Sequence, residues 1–251
     1  MEGISVAVNR LDRLGRRVWV RGSAQVVGKE VVLDEHTAEA YFLDNPNLNE
    51  RMAFELATLP FTGQSPSPDK LTDFVGKYGL LWHGGEFLGS GQCQESLQDW
   101  ATAIHALSFV GVLYKEIVDS KEDESIAGLQ TFLRKFDRYF PHSGQDQEEY
   151  RLHATALLRD LLNAGLWGSS AVKMKTVWSL VMESGELKLG YFAPDLLTTA
   201  YASFSHLVAG KYRLKTCAGC GALFRPAGRS DQKWCRKGCG STIRGRKRKA
   251  G

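Results

Sequence analysis

The chain has 251 residues, of which 43% are hydrophobic and 24% are charged, which excludes a disordered or fibrous protein and predicts one sizeable core with a small appendage. Its net charge of +4 combines two regions of opposite sign. Residues 211–251 contain thirteen lysines and arginines and one acid, a net charge of +12, so residues 1–210 carry a net charge of −8.

Neither a signal peptide nor a membrane segment is expected. An acid follows Met1, and the apolar residues 4–8 are too few for the central region of a signal peptide. No apolar run approaches the roughly 20 residues that cross a membrane. Cysteines in a chain of this kind are expected to be reduced, which favours a cytoplasmic protein without a membrane partner.

The first thirty-five residues are rich in short β-branched runs. Residues 4–8 alternate in polarity, and residues 17–21, 25–27 and 30–33 form three further runs, with Gly28 between the last two. This pattern predicts a small antiparallel meander.

Helical periodicity follows over most of the body, interrupted by one hairpin. Asn49 caps a predicted helix over 50–59, and Gly79 ends a second helix that starts at Pro68. Further helices are predicted over 95–118, from Ser125 to Pro141, over 145–163 and over 194–210, with strands at 177–182 and 187–191. The expected fold class is α+β, with a mostly helical domain over residues 1–210.

The body contains no recognisable catalytic arrangement. We interpret His105 as a structural residue of its helix and Cys93 as a small buried apolar residue. The glycine-rich stretch 84–91 lacks the Lys-Ser/Thr of a phosphate-binding loop. We therefore expect no enzyme, although a sensor of a ligand or of a partner protein remains open.

The C-terminal region, residues 211–251, contains four of the five cysteines. Cys217, Cys220, Cys235 and Cys239 have the spacing C-x2-C-x14-C-x3-C, which is typical of a four-thiolate zinc site. Gly219 and Gly221 can take positive φ and let the first pair curl around one ion. A strand over 223–225 and a helix carrying the second pair would complete a treble-clef-like finger, with Phe224 and Trp234 as its small core.

The residues leave two other uses of these thiols open, disulfide bonds and redox chemistry. Disulfides are disfavoured without a secretion signal, and a redox C-x-x-C would leave the second pair unexplained. A catalytic zinc is disfavoured because four thiolates close the coordination sphere.

The finger resembles the CGNR-type zinc finger found at the C-terminus of bacterial transcriptional regulators. The resemblance rests on Cys217-Ala-Gly-Cys220, Lys233-Trp-Cys235 and Cys239-Gly240, with the arginines and lysines that follow. It covers about the last forty residues. The signature of that family has Asn-Arg after the Cys-Gly pair, where this chain has Ser241-Thr242. The resemblance implies a role in transcription regulation.

A strongly basic segment on a metal-built scaffold predicts nucleic-acid binding, with DNA preferred over RNA. The candidate contacts are Arg229, Lys233, Arg236, Lys237, Arg244, Arg246, Lys247, Arg248 and Lys249. Two alternatives remain open. The finger could serve structure or protein interaction alone, or it could target a nucleic-acid-processing enzyme of a toxin or phage-defence system.

Overall fold

The computed structural model describes residues 19–34, 37, 39–41, 46–81, 92–122, 126–135, 147–167, 177–183, 186–192, 195–226, 231–235 and 239. Six helices occur in these residues: α1 (Pro46–Ala57), α2 (Pro68–Tyr78), α3 (Leu97–Glu122), α4 (Ala127–Arg134), α5 (Gln147–Trp167) and α6 (Leu196–Ala209). The strands are β1 (Trp19–Arg21), β2 (Ala24–Val27), β3 (Glu30–Asp34), β4 (Glu39–Tyr41), β5 (Phe61–Thr62), β6 (Ser65–Pro66), β7 (Gln92–Ser96), β8 (Val177–Glu183), β9 (Glu186–Phe192), β10 (Lys215–Thr216) and β11 (Leu223–Phe224). The predicted α+β class is confirmed.

All described sheets are small and antiparallel. Strands β2, β3 and β7 form a three-stranded sheet in that order, and the other strands pair as β1–β4, β5–β6, β8–β9 and β10–β11. The β2–β3 turn places Gly28 at a φ of 62°, a region that glycine enters without a steric penalty. The predicted strands at 177–182 and 187–191 are confirmed as β8 and β9, which pair from Val177 with Phe192 to Glu183 with Glu186.

Helix α3 lies at the centre of the core. It packs against α1, α4, α5 and α6, and it buries Trp100, Leu107 and Leu113 completely. By length and composition alone, residues Leu97–Lys121 would also be long and apolar enough to cross a membrane. Half of the most apolar 18-residue stretch of this helix is buried inside the fold, and a core helix passes the same test of length and composition.

The predicted N-terminal meander is wrong in part. The β2–β3 hairpin is present, but β1 pairs with β4 instead of joining it, and the third strand of the sheet is β7, which runs beside β3 from Gln92 to Ser96. Because Glu95 and Ser96 belong to β7, α3 starts two residues later than predicted. Residues 4–8 lie outside the described residues.

Helix ends differ from the predictions by a few residues. Helix α1 begins at Pro46, since proline is favoured in the first turn of a helix, and ends at Ala57 instead of Leu59. Helices α3 and α5 each run four residues beyond their predicted ends. Helix α4 is described only from Ala127, and residues 136–140 of the predicted helix lie outside the described part.

Helix α6 leads from the body directly into the cysteine-rich finger. Asp195 caps it by accepting a hydrogen bond from the Thr198 N–H at 2.6 Å, and Gly210 ends it, close to the predicted bounds. The Tyr114 hydroxyl of α3 then lies 2.7 Å from the Tyr212 carbonyl oxygen and 3.2 Å from that of Leu207. The exit from α6 is therefore fixed to the central helix.

Candidate metal centre

The first pair of cysteines lies in a tight turn between β10 and β11. The Cys217 N–H donates to the Ala222 carbonyl at 2.8 Å, and the Gly221 N–H donates to the Cys217 carbonyl at 2.9 Å. Gly221 has a φ of 74°, as predicted, whereas Gly219 does not enter the positive region and instead donates its N–H to Cys217 Sγ at 3.4 Å. Strand β11 pairs antiparallel with β10, so the cysteine turn is the connection between the two strands of this hairpin.

The second pair is brought to this turn by backbone hydrogen bonds. The Ala218 N–H donates to the Lys233 carbonyl at 3.0 Å, and the Cys235 N–H donates to Cys217 Sγ at 3.4 Å. Cys239, which closes the set, is buried. Most of the predicted helix between Cys235 and Cys239 lies outside the described residues.

The four sulfur atoms form one cluster. All four Sγ atoms lie within 4.8 Å of one another, with Cys235 Sγ 3.6 Å from Cys220 Sγ and 3.5 Å from Cys239 Sγ. All four thiols are free, so the disulfide alternative does not describe this structure. A single ion can therefore contact four sulfurs that come from two separate segments of the chain.

The electrostatics of the cluster are uneven. Burial by itself raises the pKa of the Cys217 thiol, but N–H groups of Cys235, Gly219 and Cys220 outweigh it and lower that pKa to about 6. Burial and the neighbouring thiols raise the pKa of Cys235, and burial raises that of Cys220. Four thiolates repel one another at these distances, so their joint ionisation needs a bound cation.

A small apolar core surrounds the sulfurs. Phe224 packs with Cys217 and Cys239, and Trp234 is partly buried against them. The prediction that Phe224 and Trp234 form the core of the finger is confirmed.

The finger is also anchored in the main core of the body. Leu214 and Leu223 belong to the same apolar cluster as α1, α3 and α6. Arg225 Nε lies 3.2 Å from Glu50 Oε1 of α1. The finger therefore packs against the body, while the boundary between residues 210 and 211 stays a prediction.

The candidate nucleic-acid contacts lie largely beyond the described residues. Lys233 is exposed, next to the cluster, and its carbonyl fixes the cysteine turn. The other eight contacts lie outside the described part: Arg229, Arg236, Lys237, Arg244, Arg246, Lys247, Arg248 and Lys249. Cys93 is described only through its backbone in β7. His105 is exposed and stacks on Phe61, with 4.4 Å between ring centroids.

Sequence reasoning missed a groove between the finger and helices α1 and α2. It has a volume of about 1280 Å³, and residues of α1, α2, the segment after α6 and the finger line it. No local sequence motif predicts this groove, because the residues that line it come from segments more than a hundred residues apart.

Comparison with protein-family models finds no match for this chain, and comparison with the curated proteins finds none either. The resemblance to the CGNR-type finger thus stays a prediction that rests on the residues quoted for it.

Proposed function

We propose that the protein is a cytoplasmic, zinc-dependent nucleic-acid-binding protein that prefers DNA to RNA and regulates transcription through a CGNR-like finger. The observation that carries the proposal is the cluster of four free thiols inside the segment of net charge +12. A bound ion at this cluster would order the chain on which the cations are displayed.

Zinc is the ion that best suits this donor set. Four thiolates and no oxygen or nitrogen ligand are typical of structural zinc. A tetrahedral site with zinc–sulfur bonds of about 2.3 Å requires sulfurs about 3.8 Å apart. The separations of 3.5 and 3.6 Å around Cys235 lie close to that value. A closed sphere of four thiolates leaves no position for a substrate, so the ion would serve folding.

The charge distribution supports a local contact with a polyanion. The body carries a net charge of −8 and repels phosphate, whereas residues 211–251 attract it. Lys233 is exposed and lies between the two cysteine pairs in the sequence. Its carbonyl oxygen accepts a hydrogen bond from the N–H of Ala218, which lies between Cys217 and Cys220. Ordering of the metal cluster would therefore orient at least this cation.

A structural role for the finger is the second candidate, and it has its own supporting observation. Leu214 and Leu223 complete the core of the body, so the finger contributes to folding whether or not it binds a polyanion. The two roles are compatible, and the experiment below distinguishes a finger that binds nucleic acid from one that is structural only.

The test measures metal content and binding to labelled duplex DNA and RNA, by fluorescence anisotropy, across a salt series. We expect one zinc per chain and tighter binding to DNA than to RNA. A plot of the logarithm of the binding constant against the logarithm of the salt concentration should have a slope whose magnitude falls by about one for each phosphate contact removed. Lys247→Gln with Arg248→Gln should lower the slope, while the control Arg159→Gln, an exposed residue of α5, should not. Cys235→Ser should lose both zinc and binding.

A binding curve that does not respond to salt would overturn the nucleic-acid proposal and leave the structural role. Full binding by Cys235→Ser without zinc would overturn the requirement for the metal. Equal affinity for RNA would overturn the preference for DNA.

A further inference from the structure

The four thiols of the metal cluster differ in their access to solvent. Cys217 and Cys239 are buried, with 2% and 7% of their surface accessible, whereas Cys220 is exposed and Cys235 is partly exposed. Cys220 and Cys235 also line the groove between the finger and helices α1 and α2. A small molecule dissolved in water therefore reaches the cluster from this side.

We propose that Cys220 and Cys235 form an oxidative modification site, at which a hydroperoxide joins the two sulfurs in a disulfide and the cluster releases its metal. The site needs the metal of the proposed function, on which the inference rests, but it needs no nucleic acid. Cysteines that react with peroxides are those with thiolate character and solvent access, and metal ligation supplies the thiolate.

Cys235 is the partner that the geometry gives to Cys220. Their Sγ atoms lie 3.6 Å apart, and both belong to the accessible side of the cluster. Cys217 Sγ instead accepts hydrogen bonds from the N–H groups of Gly219 and Cys235, each at 3.4 Å. A disulfide at Cys217 would weaken these charge-assisted hydrogen bonds, which costs free energy. Cys239 Sγ lies 3.5 Å from Cys235 Sγ but is buried, so the oxidant does not reach it first.

The reaction balances with the hydroperoxide as its one co-reactant. The Cys220 thiolate attacks a peroxide oxygen, the O–O bond breaks, and the departing hydroxide or alkoxide takes up a proton. The Cys235 thiolate then attacks the sulfur of the Cys220 sulfenic acid, forms the S–S bond and displaces hydroxide, which is protonated to water. The two thiolates together give two electrons to the peroxide, and the metal ion keeps its charge.

Oxidation would open the cluster and leave the body intact. Only Cys217 and Cys239 would remain as ligands, whereas a structural zinc site needs four. Because the binding free energy of such an ion is folding free energy, its loss would free the segment around Cys239 from the cysteine turn. Leu214 and Leu223 would stay in the core of the body. The basic residues that follow Cys239 in the sequence would then no longer be held on the finger.

The test treats the full chain, loaded with zinc and free of nucleic acid, with hydrogen peroxide. The chelator 4-(2-pyridylazo)resorcinol measures the released zinc, and the remaining thiols are alkylated before digestion with trypsin. Trypsin places the four cysteines in three peptides: residues 216–229 with Cys217 and Cys220, residues 234–236 with Cys235, and residues 238–244 with Cys239. We expect peptide 216–229 to be linked through Cys220 to peptide 234–236, with one zinc released for each disulfide and Cys239 alkylated. Fragmentation in the mass spectrometer assigns the link to Cys220.

Two matched variants test the site while keeping four ligands. Cys220→His and Cys239→His each leave three thiolates and one imidazole, a donor set that also holds structural zinc. Cys220→His should release zinc about tenfold more slowly in peroxide than the wild type, because it lacks the exposed thiolate. Cys239→His keeps both accessible thiols and should stay sensitive. Dithiothreitol with added zinc should restore the metal to the oxidised wild type.

A protein without zinc before treatment would overturn the proposed metal and this site together. Zinc that stays bound in peroxide would overturn the modification site alone, as would equal sensitivity of the two histidine variants. A wild-type disulfide between Cys217 and Cys220, or between Cys235 and Cys239, would also overturn it. The peptide mapping uses the wild type, so it decides the outcome even if a histidine variant fails to bind zinc.

Discussion

Leu223 of the finger fits against Gly111 of the central helix. A Cβ atom placed on Gly111 would lie 2.5 Å from Leu223 Cδ1 and 3.2 Å from the Phe204 ring. Leu223 itself is 4% exposed, so it has little room to move away. Because Gly111 has no side chain, Leu223 of the finger can pack closely against α3 at this position.

Gly111→Ala is expected to lower the free energy of unfolding by about 1–3 kcal/mol, because the added methyl group overpacks the contact with Leu223 and Phe204. The higher helix propensity of alanine, about 1 kcal/mol, opposes part of that loss. Urea unfolding of the metal-loaded protein measures the difference. Gly76→Ala in α2 is the control, since its Cβ would meet only the Gly22 carbonyl oxygen at 3.6 Å and should be neutral or stabilising. Equal effects of the two substitutions would contradict the close fit.

Leu223 and Phe224 are neighbours on β11 and face different cores. Leu223 packs into the body, whereas Phe224 packs with Cys217 and Cys239. Leu223→Ala should therefore cost about 2–5 kcal/mol of unfolding free energy while one metal ion stays bound. Phe224→Ala should weaken metal binding at least tenfold in competition with a chromophoric chelator. A reversed pattern would show that the strand is turned over.

Tyr201 predicts alkaline sensitivity. Burial raises its pKa from 10.0 to about 12, so the folded state favours the neutral phenol. Its contribution to stability is fully present below pH 10 and is lost as the pH rises through the folded-state value. Relative to Tyr201→Phe, the wild type should lose up to about 2–3 kcal/mol of unfolding free energy between pH 10 and 12. Urea unfolding at each pH measures this loss. Parallel pH profiles would show that the hydroxyl reaches solvent.

Glu55 predicts a small effect in acid. Burial alone raises the pKa of this carboxyl, but the hydrogen bonds and charges of Lys77 and Arg51 outweigh it and place the pKa below the ordinary value of 4.5. The ionised form therefore stabilises the fold above pH 4.5, and that contribution disappears as the pH falls through the lowered pKa. Glu55→Gln should cost less than about 1 kcal/mol at pH 7, because the pair is partly exposed and screened by solvent. A stability difference that persists at the acid end would argue against this ion pair.

The elements with strong local signals could be read from the sequence. Helix α2 has Pro68 at its start and Gly79 just beyond its end, and both of its bounds are confirmed. The spacing of the cysteines was sufficient to predict that they converge. In each case the residues that determine the structure lie within about twenty positions of one another.

The features that depend on distant partners could not be read in this way. Strand β7, Gln-Cys-Gln-Glu-Ser, has no alternating apolar pattern and owes its conformation to β3, about sixty residues earlier. The groove likewise forms only where α1 and α2 lie next to Tyr212 and Arg225. The hydrophobic periodicity of a single segment does not predict such a contact between distant segments. Tertiary packing, and not propensity, decides such elements.

The burial of Leu214 and Leu223 in the core of the body has a practical consequence. A synthetic peptide of residues 211–251 would present both leucines to water, and even with its metal it would tend to self-associate. Domain transplantation that keeps only the cysteine-rich end would meet the same obstacle, so α1, α3 and α6 must accompany it.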